Sequence, residues 1–320
     1  MTRAAPALPA IEVEFPDIAR WKAGNTGIAY VWRFAAAAPG PSVTIQALTH
    51  GNEVCGALCA DWLLERALRP TRGTLTIVFA NVDAYARFDA HDPFASRCID
   101  EDFNRLWTTS VLQGPRRSRE LERARELRPV YDGTDHLLDL HSMTDPCVPL
   151  ALAGRRGKGV ALARAIGLPQ HIVVDAGHAA GKRLRDYAAF DDPASPRSAL
   201  LVECGQHWER ASPAVARQSA LRFLAHFDML DRGAADEWLD AAPLPRQQVI
   251  EITDVVTIAT EAFAFVQPVS GLEIVPEAGT LLARDGTREV RTPHANAVLV
   301  MPTRRPRRGE TAVRIGRIVE

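Results

Sequence analysis

The chain has 320 residues, 47% hydrophobic and 24% charged, which is ample for a buried core and outside the ranges of disordered or fibrous proteins. A formal net charge of −1 supplies no general field for nucleic acid or acidic lipid, so neither is an expected partner. No run approaches the ~18 apolar residues of a membrane span, and no basic start leads into an apolar stretch of signal-peptide length.

In chain order, residues 11–14 and 27–34 read as two short β-like pieces, and 42–48 as a buried strand after the turn Pro39-Gly40-Pro41. That strand runs into Thr49-His50-Gly51-Asn52-Glu53. Residues 54–68 carry helical periodicity through Leu58, Trp62, Leu63 and Ala67, and stop before Pro70. Residues 74–80 form a second buried strand ending at Asn81. The stretch 83–107 is too polar and broken for a packed element, and irregular segments of that length are often functional. A charged helix is expected over 115–128, ended by Pro129, and then a strand over 136–141. Strands at 148–153, 171–174 and 198–204, with helices at 159–166 and 213–230, complete an alternation. It implies an α/β fold: a mixed, largely parallel sheet flanked by helices. Residues 231–248 lack periodicity and carry Gly233, Pro243 and Pro245, which reads as a linker. The expected organisation is therefore a catalytic α/β domain over 1–242 and a small all-β C-terminal domain over 249–320.

His50 and Glu53 fall where a buried strand gives way to a loop, the edge at which open α/β sheets place their ligands. With the distant His141 they make a three-ligand set for one zinc ion per chain. Such a set leaves a fourth position for water, which separates catalytic from structural zinc sites. Gly51 and Gly56 allow a tight turn and close backbone approach there. Alternate strand residues share a face, so Leu137, Asp139 and His141 point one way and His136, Leu138 and Leu140 the other. This selects His141 over His136, and it gives Asp139 the part of orienting a ligand imidazole.

Glu203 ends an apolar strand, where a buried carboxylate is costly unless paired or shifted in pKa. Beside a zinc-activated water it serves as general base and then as proton donor to a leaving nitrogen. In the long loop, Arg97 suits a scissile carbonyl and its developing oxyanion. Asn104 and Arg105 offer planar donors for a carboxylate. Other signals read as structural. Gly154-Arg155-Arg156-Gly157-Lys158-Gly159 lacks the ending of a phosphate loop. Arg304-Arg305-Pro306-Arg307-Arg308 reads as a solvated loop. Five scattered cysteines fit reduced thiols in a cytosolic protein, and Cys204 should face away from Glu203.

Thr49-His50-Gly51-Asn52-Glu53, Asn81, Asp102-Phe103-Asn104-Arg105, Asp139-Leu140-His141 and Val202-Glu203-Cys204-Gly205 share an order and approximate spacing with a known family. From about residue 43 to 205 the chain resembles the succinylglutamate desuccinylase/aspartoacylase family, a branch of the zinc carboxypeptidase-like fold, and its β-rich tail is similar to that family's C-terminal domain. The resemblance implies zinc on His50, Glu53 and His141, Glu203 as base, Arg97 at the carbonyl, and Asn104 with Arg105 on a substrate α-carboxylate. Cys204-Gly205-Gln206-His207-Trp208 departs from the proline- and glycine-containing run of the animal aspartoacylases, and the extra arginine those enzymes use for an acidic side chain has no matching motif, with Arg183, Arg185, Arg197, His178 and Lys182 as candidates. The expected protein is a cytoplasmic, zinc-dependent amidohydrolase that removes an acyl group from an N-acyl amino acid or related small amide. Assembly into a homo-oligomer is left open. A carboxypeptidase acting on short peptides and a non-catalytic zinc-binding protein are the alternatives.

Overall fold

Apolar runs of strand length, buried on both faces, are what a parallel sheet covered by helices requires. The computed structural model describes residues 8–155, 157–178 and 180–320, so Arg156 of the glycine-rich basic loop lies outside the described residues. The chain opens with β1 (Val31–Ala35), β2 (Ser42–Ala47), α1 (Val54–Glu65), β3 (Thr74–Phe79) and α2 (Val82–Tyr85). Then come α3 (Thr109–Gln113), α4 (Arg119–Asp132), β4 (His136–Met143), β5 (Leu150–Leu152) and α5 (Gly157–Ile166). β6 (His171–Val174), β7 (Ser198–Gln206), α6 (Ser212–His226) and α7 (Arg232–Trp238) follow. The rest is β8 (Gln248–Thr257), β9 (Phe263–Phe265), β10 (Glu273–Val275), β11 (Leu281–Asp285), β12 (Arg288–Arg291), β13 (Ala297–Val300) and β14 (Thr311–Ile318).

An 11-stranded sheet runs β1-β3-β2-β4-β7-β5-β6-β8-β14-β13-β10. Its centre, β3-β2-β4-β7, is parallel, and β5 lies antiparallel against β7. Helices α1, α5 and α6 cover one face over Ile45, Leu138, Leu140 and Val202. Helix α4 and residues 103–107 cover the other over Leu137 and Ala199. The mixed, mostly parallel α/β architecture is as expected, and Leu137 and Leu138 divide between the faces as strand alternation requires.

Several boundaries differ. Helix α1 stops at Glu65 because Ala67 takes a φ of 50°, and its N–H and that of Leu68 close onto the carbonyls of Leu64 and Leu63. Helix α4 passes through Pro129 to Asp132, since proline in a last turn removes only one helical bond. Residues 11–14 form no strand, although Glu12 N–H donates to the Trp208 carbonyl. The long stretch 83–107 contains α2 and two short 3-10 turns, Ala95–Arg97 and Phe103–Arg105. The expected linker 231–248 carries α7.

The C-terminal β region is present, but its strands extend the main sheet. β8 pairs in parallel with β6, with Val249 opposite Ile172, and β14, β13 and β10 continue outward. β9, β11 and β12 form a separate three-stranded antiparallel sheet, packed through Phe263 and Leu282 against Val256 and Leu299. Leu150, Val173, Ile250 and Val298 join the two regions in one apolar cluster. No helix among the described residues is long and apolar enough to cross a membrane.

Ile172 is fully buried at this junction. Ile172→Ala should cost about 2–5 kcal/mol, seen as a lower urea midpoint with an unchanged slope. Tryptophan fluorescence and circular dichroism should report one coincident transition; two separated transitions would show that the C-terminal strands fold on their own.

Candidate functional site

Parallel pairing sets the C-terminal ends of β2, β4 and β7 side by side, with Gln46 opposite Asp139 and His141 opposite Glu203. After β2 the chain turns at Leu48, whose φ of 60° is in the left-handed region that a leucine rarely adopts. The Asn81 N–H donates to the Leu48 carbonyl at 2.8 Å, and full burial holds the turn. Gly51 then passes so near α2 that a Cβ there would lie 2.4 Å from the Tyr85 nitrogen and the Ser96 carbonyl oxygen. Gly56 lets α1 approach Leu140 on β4, which brings the start of the helix beside His141.

The result is a buried cluster. His50, Glu53 and His141 are each at most 3% exposed. One ligand atom from each lies within 4.8 Å of the others. His50 Nδ1 is 2.6 Å from Glu53 Oε1, and His141 Nδ1 is 2.8 Å from Glu53 Oε2. The outer nitrogens face carboxylates as well: His50 Nε2 is 3.0 Å from Asp102 Oδ1, and His141 Nε2 is 3.0 Å from Asp139 Oδ2. The second contact is close but poorly angled for a hydrogen bond. Such outer carboxylates favour the tautomer whose inner nitrogen carries a lone pair. Two Nδ1 atoms and two carboxylate oxygens face one spot, an arrangement that shared protons or a metal ion can resolve. Two imidazoles and one carboxylate are a zinc donor set, so the residues fit that metal.

Burial alone would raise the Glu53 carboxyl, but facing His50 and His141 outweigh it and hold it well below the usual carboxylate range. Burial alone would lower His141, and Asp139 with Glu53 instead raise it well above an ordinary imidazole. Asp139 is itself fixed by Gln46 Nε2 and Thr49 Oγ1, which donate to Oδ1 at 3.1 and 2.8 Å, with the Tyr131 hydroxyl donating to Gln46 behind them. His136 points to the other face, stacked on Phe227 at 4.2 Å.

Glu203 is 6% exposed and its Oε2 has no hydrogen-bond partner among the described residues. Burial pushes its carboxyl up to about 8, against the lowering effect of His141. Cys204 faces the opposite core. Arg97 reaches His50 Nε2 at 2.9 Å, Asp102 Oδ2 at 3.0 Å and Glu53 Oε1 at 3.5 Å. Asn104 is buried; its Oδ1 accepts from Leu184 N–H at 2.8 Å, which leaves Nδ2 as the available donor. Arg105 lies 3.6 Å from Asp102 Oδ2. The structure therefore gathers the expected metal, base and carbonyl candidates at one sheet edge, with Asn104 and Arg105 joined to them through Asp102.

Supporting residues emerge whose partners the sequence did not show. Asp102 lies in a recognised run, yet its contact with His50 spans 52 residues of sequence. Glu120, fully buried on the charged helix, accepts from the N–H groups of Ile99, Asp100 and Glu101 and from Asn81 Nδ2, and so fixes the loop before Asp102. His207 holds Ser142 through Nδ1 at 2.9 Å, and burial pushes its imidazole down to about 3. Trp208 Nε1 donates to the Asn52 carbonyl, tying the divergent run after Glu203 to the ligand loop. In the basic C-terminal loop Arg304, Pro306, Arg307 and Arg308 are exposed, as expected, whereas Arg305 pairs with Asp145 at 3.0 Å and lies 4.5 Å over the Phe94 ring.

A family profile described as the succinylglutamate desuccinylase/aspartoacylase catalytic domain matches residues 39–226. The chain belongs to this family. A probable aspartoacylase from Parasynechococcus marenigrum (strain WH8102) is 34% identical over 139 residues, 39% of this chain and 43% of that relative, so less than half of the relative is spanned. Among solved structures, the succinylglutamate desuccinylase of Vibrio parahaemolyticus superposes with a TM-score of 0.69 at 15% identity, covering 91% of this chain and 87% of the other. A product-bound ectoine utilization protein EutE (DoeB) from Ruegeria pomeroyi gives 0.62 at 17% identity, covering 90% and 87%. At such identities the likeness concerns the fold. The desuccinylase/aspartoacylase profile spans all the clustered residues from His50 to Glu203.

If the outer carboxylates orient metal ligands, Asp102→Ala and Asp139→Ala should each weaken zinc binding about 10- to 100-fold in titrations against a chromophoric chelator. His136→Ala should leave it unchanged.

Proposed function

We propose that this chain is a zinc-dependent deacylase that cleaves the amide bond of an N-acyl amino acid or related small amide, with one zinc ion per chain. The observation that supports it most is the convergence of His50 Nδ1, His141 Nδ1 and both Glu53 oxygens beside the unpartnered Glu203 Oε2. His50, Glu53 and His141 would hold the metal, which when bound supplies the Lewis acidity that acidifies a water and polarises a carbonyl. Membership in a desuccinylase/aspartoacylase family supports the reaction class.

The chain's own residues divide the remaining work. Ionised Glu203 accepts the proton of the attacking water at Oε2 and passes it to the departing amine nitrogen; nearby positive charge, a bound metal's included, would oppose the burial that raises its carboxyl. The Arg97 guanidinium holds the carbonyl oxygen as charge develops, and its contacts with Asp102 and Glu53 set its position. Asn104 Nδ2 and Arg105 take the substrate α-carboxylate. The C-terminal strands wall the cleft, a role supported by the Arg305 contacts with Asp145 and Phe94. The water and small substrate thus meet groups already held by the sheet, with little reorganisation left for the chemical step.

Glu203→Gln keeps the shape of the site and removes its proton acceptor. The variant should retain zinc and lose about 10²- to 10⁴-fold in kcat on N-acyl amino acids. Full activity in this variant would remove Glu203 as base. Wild-type protein that binds zinc but cleaves only short peptides would indicate a carboxypeptidase, and protein inert on both would indicate a binding role.

A further inference from the structure

Lys158 belongs to the glycine-rich basic loop, yet its ammonium points into a ring of backbone carbonyls. Nζ donates to the oxygens of Ala189, Asp192, Ser195 and Arg197 at 2.9, 2.7, 3.2 and 2.6 Å. The position is an unfavourable one for a cation: Lys158 lies in the first turn of α5, where the helix macrodipole disfavours positive charge. The choice of lysine is also against the habit of the chain. Of 38 lysine and arginine residues, only Lys22, Lys158 and Lys182 are lysine. A guanidinium is a planar fork, whereas an ammonium is a compact point charge that can sit at the centre of a shell of dipoles.

The sequence aims those dipoles. Asp192 and Ser195 each precede a proline, and Pro193 and Pro196 disfavour helical backbone at both positions. Just before the ring, Ala188 takes a φ of 46°, a left-handed conformation uncommon for a residue with a Cβ. Between β6 and β7 the described chain holds two short 3-10 turns, Leu184–Asp186 and Ala188–Phe190. Backbone N–H groups of Asp186, Tyr187, Phe190 and Asp191 donate to the carbonyls of Arg183, Leu184, Tyr187 and Ala188 through these turns. At their head, the Leu184 N–H holds Asn104 Oδ1 at 2.8 Å. A short run of turns therefore joins the caged ammonium to Asn104.

We propose that the carbonyls of Ala189, Asp192, Ser195 and Arg197 form a monovalent-cation site of the size that takes potassium or ammonium. This protein fills the site with its own Lys158, and the tethered cation positions Asn104 through the turns between them. Fixed carbonyl oxygens can replace the hydration shell of a large monovalent cation. Oxygens held 2.6–3.2 Å from the centre suit a potassium-sized ion and are too far apart for sodium to touch together. The positioning of Asn104 matters to catalysis only under the deacylase reading above; the cation site stands without it.

Lys158→Ala removes the tethered ammonium and leaves its ring. In choline chloride the full-length variant should unfold at least about 5 °C below wild type. Potassium or ammonium chloride at equal ionic strength should raise its Tm as mass action requires, sodium chloride should not, and wild type should respond alike to all four. KM of the zinc-loaded variant for N-acyl amino acids should be about tenfold raised in choline and return toward wild type in potassium, with kcat changed less. A variant as stable as wild type in choline, or one whose Tm does not distinguish potassium from sodium, would overturn the site. A potassium response of Tm with an unchanged KM would overturn the link to Asn104. If wild type hydrolyses no N-acyl amino acid, the deacylase reading fails, and the Tm series still decides the site. Should Lys158→Ala fold in none of the salts, reductive methylation of native wild type, read by mass spectrometry, decides it. The reaction needs a neutral amine, and carbonyls around the charged form oppose its loss of a proton. Lys158 modified at least about tenfold more slowly than the exposed Lys22 and Lys182 supports the cage, and equal rates overturn it.

Discussion

Two imidazole nitrogens and both oxygens of one carboxylate, meeting in a buried space, set the terms for this structure. With the outer nitrogens of His50 and His141 turned toward Asp102 and Asp139, the inner nitrogens and both Glu53 oxygens crowd one spot at separations near 2.7 Å. Such a group is stable only around a proton or a metal ion, because burial removes the water that would otherwise screen it. Much of the polar interior behind it answers that demand. Gln46, Thr49 and Tyr131 hold Asp139, while Arg97 and the Asn104 N–H hold Asp102. His207 and Ser142 close the side next to Glu53.

Backbone register makes this convergence achievable. His141 and Glu203 are opposite one another only because β4 and β7 pair in parallel with a single register up to that point. A slip of one residue would turn His141 and Asp139 toward α1 and the opposite core. The strained Leu48 turn and the close packing of Gly51 belong to the same requirement, since they direct the ligand loop back across the end of β4. Backbone strain of this kind persists where surrounding structure over-determines it, as the burial of Leu48 and its bond from Asn81 do here.

The legible part of the sequence was the part governed by local rules. Strand alternation separates His141 from His136 and puts Asp139 on the same face as His141, and the apolar runs identify the central strands. Partnerships across the chain were not legible. Glu120 sits in a helix that reads only as charged, yet its burial is dictated by three amide groups from a loop whose path no periodicity reveals. Ala67 ends α1 through a left-handed turn that alanine does not advertise, and Pro129 lies too near the end of α4 to stop it. The short C-terminal β runs show strands without showing which edge they join. The pairing of Val249 with Ile172 is a tertiary choice, made by apolar surface on β6 that otherwise would face water.

That tertiary choice bears on how such a site can vary. The residues proposed to hold metal and move protons lie between His50 and Glu203, on the parallel centre of the sheet. Arg314 comes from the opposite end of the chain, and it comes to lie 3.7 Å from Asp175 because β8 and β14 extend that sheet past β6. The contacts of the Glu53 cluster are made by residues on the central strands and the loops beside them. A change that weakens the β6–β8 seam moves Arg314 relative to Asp175 and Arg183. The metal-ligand candidates and the buried Asp175–Arg183–Arg314 group thus lie on separate parts of one continuous sheet, coupled through its register.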